Sequence, residues 1–411
     1  MRTIYSFLVH VAWFHLKLIA YLKPKIKLFV EGRKNVFSIL ENSISDTDDV
    51  IWMHVASLGE YEQGLPIFQK LKINYPKHKL LLTFFSPSGY EIKKHTKAAD
   101  IITYLPLDTI SNTEKFIELA KPKLAIFIKY EIWPNYLNQL QKDNVPTFLV
   151  SALFSKKQIF FKWYGRFMRD SLKTFHHFFI QDENSLELLK TIGFTNATVS
   201  GDTRFDRVSE ILERDNTLSF MTDFKQDKFS FVVGSSWPED EKIIVDHINK
   251  SNYNVKYIIA PHNIKAEHIK NLKIDISKKT LLYSELDQKK SKDYDVLLID
   301  TIGLLTKIYS YANVAYVGGG FKTGLHNTLE PAVFGIPIII GPNYQGFKEA
   351  KDLVEKGGAI TVKNKTEFSK AFEILINDKT MVEELGKINA QYVDSKTGAT
   401  SKVINHLKQI L

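Results

Sequence analysis

The chain has 411 residues, 44% of them hydrophobic and 25% charged, with a formal net charge of +9. That length exceeds one ordinary hydrophobic core and fits two domains, and no short-period repeat or low-complexity tract points to a solenoid or a disordered scaffold. The absence of cysteine excludes disulfides, thiolate metal sites and a cysteine nucleophile, while the charge favours acidic partners without choosing among nucleic acid, anionic lipid and phosphorylated small molecules.

Residues 4–22 read IYSFLVHVAWFHLKLIAYL, apolar but interrupted by His10, His15 and Lys17. As a helix this run measures roughly 28 Å, enough to cross a hydrocarbon core. Lys23, Lys25, Lys27, Arg33 and Lys34 follow, against Glu31 alone, a bias that places the body of the protein in the cytoplasm. No small-residue cleavage site precedes this cluster, and the charge lies on the wrong side for a secretory signal peptide. Two membrane readings follow for residues 1–27: an anchor that crosses, or an interfacial helix with Trp13 and Phe14 at headgroup level. A soluble helix packed on the domain ranks below both, because an apolar run of this length is followed by so many lysines.

From residue 50 onward, short apolar runs alternate with helix-length amphipathic segments. The strand candidates are 51–55, 80–85, 101–105, 124–128, 147–150, 178–180 and 197–200, with a helical pattern over 61–72. After a polar stretch at 214–228 the pattern restarts with 229–233, 256–259, 296–299, 314–317 and 336–340. Such alternation predicts an α/β fold of two doubly wound, Rossmann-like lobes, with helices on both faces of parallel sheets. The expected divisions are a membrane-associated helix at 1–27, a first lobe at 28–210, a second at 211–390, and a helix at 391–411 that crosses back to the first lobe. Ligands in such sheets bind beyond the carboxyl ends of the strands, so the two lobes are expected to face a cleft there. His176 and His177 fall in a strand-like run, where neighbouring side chains point to opposite faces; they read as ordinary strand residues and not as a metal pair.

The loop after 314–317 runs Gly318-Gly319-Gly320-Phe321-Lys322-Thr323-Gly324-Leu325-His326-Asn327-Thr328-Leu329-Glu330-Pro331, and the next strand closes on Gly341-Pro342. Glycines let a backbone approach a ligand and present its N–H groups, and a helix starting near Asn327 or Thr328 turns its positive end toward phosphate. Glu330, in that first turn, can accept ribose hydroxyls. The plain reading is a glycine-rich turn with Asn327 and Glu330 as a capping box. A P-loop is absent, and so is the Gly-x-Gly-x-x-Gly of a dinucleotide oxidoreductase.

In the first lobe, Ser57-Leu58-Gly59-Glu60 follows a strand. Ser57 and Glu60 have capping-box spacing, the plain reading; the functional reading is a general base for a hydroxyl, worth about 10²–10⁴ in rate. Glu131, in Lys129-Tyr130-Glu131-Ile132-Trp133-Pro134, also stands between strand and helix. Asp46-Thr47-Asp48 has Asp-x-Asp spacing but lies in a polar turn ahead of the first strand, so no metal site is expected there. Residues 155–169 interleave cations with aromatics. The plain reading is a buried amphipathic helix with a basic face; the functional one is an acceptor- or membrane-facing surface carrying Lys156, Lys157 and Arg166.

The run His326-Asn327-Thr328-Leu329-Glu330-Pro331-Ala332 resembles the nucleotide-binding signature of the Kdo (3-deoxy-D-manno-oct-2-ulosonic acid) transferases, glycosyltransferases of GT-B architecture. Further resemblances are Val55 to Glu60, Glu131 to Asn135, Ser200-Gly201-Asp202, Gly234-Ser235, Ala260-Pro261-His262 and Asp300 to Gly303; in order and spacing they cover roughly residues 50–345. The resemblance implies an inverting transfer of Kdo from CMP-Kdo to a lipid A precursor (lipid IVA), in lipopolysaccharide biosynthesis at the cytoplasmic face of a Gram-negative inner membrane. It implies Glu60 as the catalytic base, Glu131 as acceptor-orienting, no cofactor, and an anionic membrane surface but no nucleic acid as partner. CMP is expected at Ser235, Pro261, His262, Ile302, Gly303, Leu304, Gly319, Asn327, Thr328, Leu329 and Glu330. Relatives usually have arginine where this chain has His262, many have glutamate at Leu304, and they commonly carry an acid at Lys129. The alternatives are another GT-B enzyme using a UDP-sugar, such as a disaccharide synthase or an epimerase, and a non-catalytic lipid-binding protein.

Overall fold

The computed structural model describes residues 1–322 and 324–411; Thr323, inside the glycine-rich loop, lies outside the described residues. The chain forms two compact units, Met1–Arg207 with Thr397–Leu411, and Val208–Lys396.

The first unit is built on a seven-stranded sheet of order β3-β2-β1-β4-β5-β6-β7, parallel throughout. Its strands are β1 (Val50–Val55), β2 (Lys79–Phe84), β3 (Ile101–Tyr104), β4 (Pro122–Ile128), β5 (Thr147–Ala152), β6 (His177–Ile180) and β7 (Ala197–Val199). Every residue of β1 is buried, as expected of a strand covered on both faces. Alternation divides its side chains: Val50 and Trp52 join the core with Phe127 and Tyr136, while Ile51, Met53 and Val55 join the one with Phe68 and Phe148. The helix Ala399–Leu407 packs on Leu58–Asn74, and its Val403, Ile404 and Leu407 complete the second of these cores. Asp206 fixes its start, accepting from Gly398 N at 2.5 Å and Thr400 N at 2.7 Å.

At the other end of the chain, the helix Arg2–Ile19 is moored by one polar face. Arg2 donates to Asn135 at 2.9 Å, Ser6 accepts from Asn135 at 2.9 Å, and Tyr5 meets Phe167 ring to ring at 5.6 Å. Arg33, after the helix Pro24–Glu31, donates to three carbonyls, those of Leu105, Phe29 and Phe85. Burial lowers its pKa to about 9, and the rings of Phe29, Phe85 and Tyr104 face the guanidinium.

The second unit holds a parallel sheet of order β10-β11-β9-β8-β12-β13-β14. The strands are β8 (Phe229–Ser236), β9 (Val255–Pro261), β10 (Thr280–Leu282), β11 (Val296–Leu298), β12 (Val314–Val317), β13 (Ile338–Ile340) and β14 (Ala359–Thr361). β10 and β14 have no counterpart among the sequence expectations: each is a three-residue edge strand, too short for an alternation to register. β8 runs three residues past its expected end and takes Gly234 and Ser235 into the strand.

In each sheet the direction of strand addition reverses once, between β1 and β4 in the first unit and between β8 and β12 in the second. Ligands of doubly wound sheets bind at the carboxyl side of that reversal.

Candidate active site

In the first unit, the loops at the reversal carry the two acids singled out above. Glu60 sits in the first turn of the helix Leu58–Asn74, with Ser57 as N-cap. The Ser57 hydroxyl caps no backbone N–H and instead donates to the Glu60 carboxylate, so the capping box of the plain reading is not formed. Glu60 is 16% exposed, with the Lys129 ammonium 3.9 Å away. Because β4 lies beside β1, Lys129, Tyr130 and Glu131 emerge next to this turn. Burial, with the nearby Glu60 charge behind it, raises the Tyr130 pKa. Glu131 accepts from His54 at 3.0 Å and from Trp133 at 2.9 Å.

Of the six non-glycine residues with left-handed backbone among the described residues, three lie at strand ends and the others are Lys121, Asn144 and Gln226. Lys129 (φ +66°), Ser151 (φ +54°) and, in the second unit, Ser235 (φ +52°) adopt left-handed conformations without being glycine. Each costs of order 1–3 kcal/mol, and such residues cluster where a site needs a particular geometry.

Lys156, Lys157 and Arg166 follow β5, the neighbour of β4, and all three are exposed. Their segment is not the single amphipathic helix of the plain reading. A 3₁₀ turn at Ile159–Phe161 precedes a helix only at Arg166–Leu172, and a Cβ on Gly165 would fall 1.8 Å from the Ile159 carbonyl oxygen. Phe160 is buried while Trp163 is 90% exposed. Asp46 and Asp48 pair with Lys121 and Lys79, and among the described residues no three His, Asp or Glu side chains gather to hold a metal ion.

In the second unit the expected donor residues lie at or beyond the carboxyl ends of β11, β9, β8 and β12, four consecutive strands of the sheet. Glu330 is held by Thr306 at 3.0 Å and Asn327 at 3.2 Å. Four features of the local geometry bear on that expectation. Gly319 donates its N–H to the buried Asp240 at 2.8 Å, so that group is not free for phosphate. Gly318 and Gly320 are required by close backbone packing, because a Cβ would fall 2.3 Å from the Ser235 oxygen and 2.8 Å from Gly341 respectively. The helix is Leu329–Val333 with Thr328 as N-cap, while Asn327 accepts from Leu329 N at 3.1 Å as an Asx turn. Five residues align few peptide dipoles. Finally, Thr328 and Leu329 are fully buried, main chain included, so in this run the groups open to a nucleotide are those of Asn327 and Glu330. Ile302, by contrast, is 84% exposed and Gly303 faces open space.

Sequence reasoning missed Trp237. Its Nε1 donates to His326 Nε2 at 3.0 Å, with the two rings 11° from coplanar. His262 lies over both, with centroids 4.4 Å from Trp237 and 4.7 Å from His326. Burial, aided by the neighbouring His262, lowers the His326 pKa to about 4, so this ring is neutral at pH 7. The visible signal was a tryptophan before Pro238, where β8 turns into the helix Pro238–Lys250. Asp240 ties this turn to β12 and the glycine loop, accepting from Trp237 N at 2.9 Å and Tyr316 at 2.7 Å as well as from Gly319 N.

Comparison with known proteins identifies the family. A family model described as 3-deoxy-D-manno-octulosonic-acid transferase (kdotransferase) matches residues 21–207. The 3-deoxy-D-manno-octulosonic acid transferase of Aquifex aeolicus is 31% identical over 358 residues, covering 84% of this chain and 91% of the relative. That of Haemophilus influenzae is 29% identical over 381 residues, covering 88% and 87%. The fold resembles the UDP-GlcNAc 2-epimerase of Neisseria meningitidis, with a TM-score of 0.61 over 88% of this chain and all of that one; at 15% identity the likeness is one of fold alone. With Glu60 and Glu131 at the reversal of one sheet and the His262–His326 surface at that of the other, the sequence likeness settles the family: the chain belongs to the Kdo transferases.

Proposed function

We propose that the protein moves Kdo from CMP-Kdo to the lipid A precursor lipid IVA by a single inverting displacement. Kdo transfer in lipopolysaccharide core biosynthesis follows from the family; the donor, the acceptor and the residue roles are the proposal. The observation that carries it is the Glu60 carboxylate, held by Ser57 in a first helical turn at the sheet's reversal. There it acts as general base, taking the proton of the acceptor hydroxyl as that oxygen bonds to the anomeric carbon and CMP departs. Glu131 orients the acceptor. CMP is held by Glu330 and Asn327, by main-chain groups around Ser235, by the exposed 302–304 turn, and by Pro261 with the stacked His262.

The same reading places the protein on the cytoplasmic face of the inner membrane. Among the described residues no helix is long and apolar enough to cross a membrane. Phe7, Leu8, Phe14 and Leu18 of the Arg2–Ile19 helix are exposed, as is Trp163. An amphipathic helix lying in the interface fits these features, with Lys156, Lys157 and Arg166 on lipid phosphates.

The test incubates purified protein with CMP-Kdo and tetraacyl lipid A precursor and follows the acceptor's mass. Addition of one or more Kdo masses supports the reading, and an unchanged acceptor, with the donor proven by a control enzyme, overturns it. Protection from thermal unfolding by UDP and not by CMP would favour a UDP-sugar donor instead.

A further inference from the structure

His54 lies in β1 with its side chain wholly buried, yet it is polar on a strand whose other residues are apolar. It occupies the middle of a chain of hydrogen bonds that ends on Glu131. Trp52 Nε1 donates to Thr83 Oγ1 at 2.8 Å, and Thr83 Oγ1 lies 2.9 Å from His54 Nδ1. His54 Nε2 lies 3.0 Å from Glu131 Oε2, and Trp133 Nε1 donates to the same oxygen at 2.9 Å.

Donor chemistry fixes the direction. Trp133 Nε1 also lies 3.2 Å from His54 Nε2, farther than its 2.9 Å to Glu131 Oε2. An ionised carboxylate only accepts, so a bare Nε2 3.0 Å from it would set two acceptors against each other; Nε2 therefore carries a proton and the indole donates to the carboxylate. In the neutral ring Nδ1 then accepts from the Thr83 hydroxyl, whose oxygen receives the Trp52 N–H. A second ring proton would also find an acceptor, since the Thr83 carbonyl oxygen is 3.2 Å from Nδ1. In either state Nε2 donates to Glu131. The donors therefore point one way, from the core to the carboxylate, and such chains reinforce each member.

We infer that His54 is a positioning residue of the transfer reaction, acting through Glu131 and resting on the reading of Glu131 as the group that orients the acceptor. Oε2 is fully engaged by His54 and Trp133. Among the described residues Oε1 takes no hydrogen bond, and the side chain keeps 13% of its surface exposed. The arrangement thus offers one carboxylate oxygen, at a fixed angle, to a donor from outside: a hydroxyl of the sugar acceptor. Without His54 the carboxylate turns about its side-chain torsions with a single indole holding it, and misplacement of about 1 Å can cost 10²-fold in rate.

The experiment is a double-mutant cycle on the purified full chain, reading acceptor kcat/KM and donor KM. His54→Ala is expected to lower acceptor kcat/KM by about 10²-fold with donor KM unchanged. His54→Gln, whose amide can donate from near the Nε2 position, is expected to recover about tenfold of that loss. In a Glu131→Gln background, His54→Ala is expected to add less than about threefold, because coupled residues do not act independently. A full additional loss in that background, or no loss from His54→Ala alone, overturns the inference and leaves the role of Glu131 standing. Wild-type acceptor kcat/KM in Glu131→Gln overturns the Glu131 reading, and this inference with it. Where His54→Ala does not fold, the unaltered protein decides: in a spectrum of ¹⁵N-labelled histidine, Nε2 of His54 must be protonated at neutral pH, and a bare Nε2 overturns the inference.

Discussion

A serine three residues ahead of a glutamate at a helix start has capping spacing, and in this protein the pair is closed differently: Ser57 binds the Glu60 carboxylate itself. A carboxylate held by a hydroxyl is oriented without being neutralised, as a base requires. Glu60→Gln keeps that acceptor for Ser57 and removes the base, so kcat is expected to fall by about 10²–10⁴-fold with the melting temperature near that of the unaltered protein. A drop in melting temperature with activity preserved would return Glu60 to a purely structural role. His247 gives a second prediction at this scale. Buried against Phe368 and Phe372, it has its pKa lowered by burial to about 4 from 6.5. Between those values the unfolded chain holds more protons at this ring than the folded one, so its contribution to stability is full above about pH 6.5 and is lost as pH falls through about 4. His247→Phe should flatten the melting temperature of the Val208–Lys396 unit over that window, and an unchanged slope would refute it. Glu60 and Glu131 were visible in the sequence as acids between strand and helix, but spacing alone read Glu60 as a cap and the family resemblance was needed to give either acid a role. His54 and Trp237 were not, because their partners Thr83, Glu131 and His326 come from other loops and strands, which only the sheet order brings together.

Strands built from apolar runs were readable because burial on both faces leaves few polar positions to confuse the pattern; β12 is apolar throughout, β4 is so from Leu124 onward, and β1 is interrupted only by His54. The edge strands β10 and β14 were not, since three residues carry too little pattern. The glycine run was legible as a special loop but not in its reason. Gly318 meets the Ser235 and Ser236 backbone and Gly320 meets Gly341, so the loop exists first to let β8, β12 and β13 end side by side. Gly320→Ala is accordingly expected to destabilise this unit by roughly 1–3 kcal/mol, the range for overpacking a tight site, and to weaken CMP binding. Calorimetry and CMP titration test it, and full stability would mean that the loop has room. For the Arg2–Ile19 helix, moored by Arg2, Tyr5 and Ser6, a charge on the exposed face should leave folding alone. Phe7→Glu with Phe14→Glu is expected to abolish sedimentation with anionic phosphatidylglycerol vesicles while the circular dichroism melt stays unchanged. Retained vesicle binding would remove this helix from the membrane contact.

At the scale of the whole molecule, the chain begins and ends in the same unit, and Val208–Lys396 is inserted between its parts. Each unit encloses its own apolar clusters, one set around Trp52 and Phe148 and another around Phe231 and Tyr316. The Ala399–Leu407 helix therefore stabilises the unit that carries Glu60, although in sequence it follows the unit proposed to hold CMP. Asp206 is the junction, since its two oxygens receive Gly398 N, Thr400 N and the Thr400 hydroxyl. Asp206→Ala leaves those donors without this partner at a helix start, a change that costs about 0.5–2 kcal/mol. CMP at a hundred times its dissociation constant adds about 2.7 kcal/mol to whatever unit binds it. Scanning calorimetry should then resolve two transitions, with CMP raising one and Asp206→Ala lowering the other. The outcome against this is a single transition moved by both, or CMP raising the transition that Asp206→Ala lowers. The first would mean that the two cores melt together, and the second that the nucleotide belongs with Glu60 and not with Glu330.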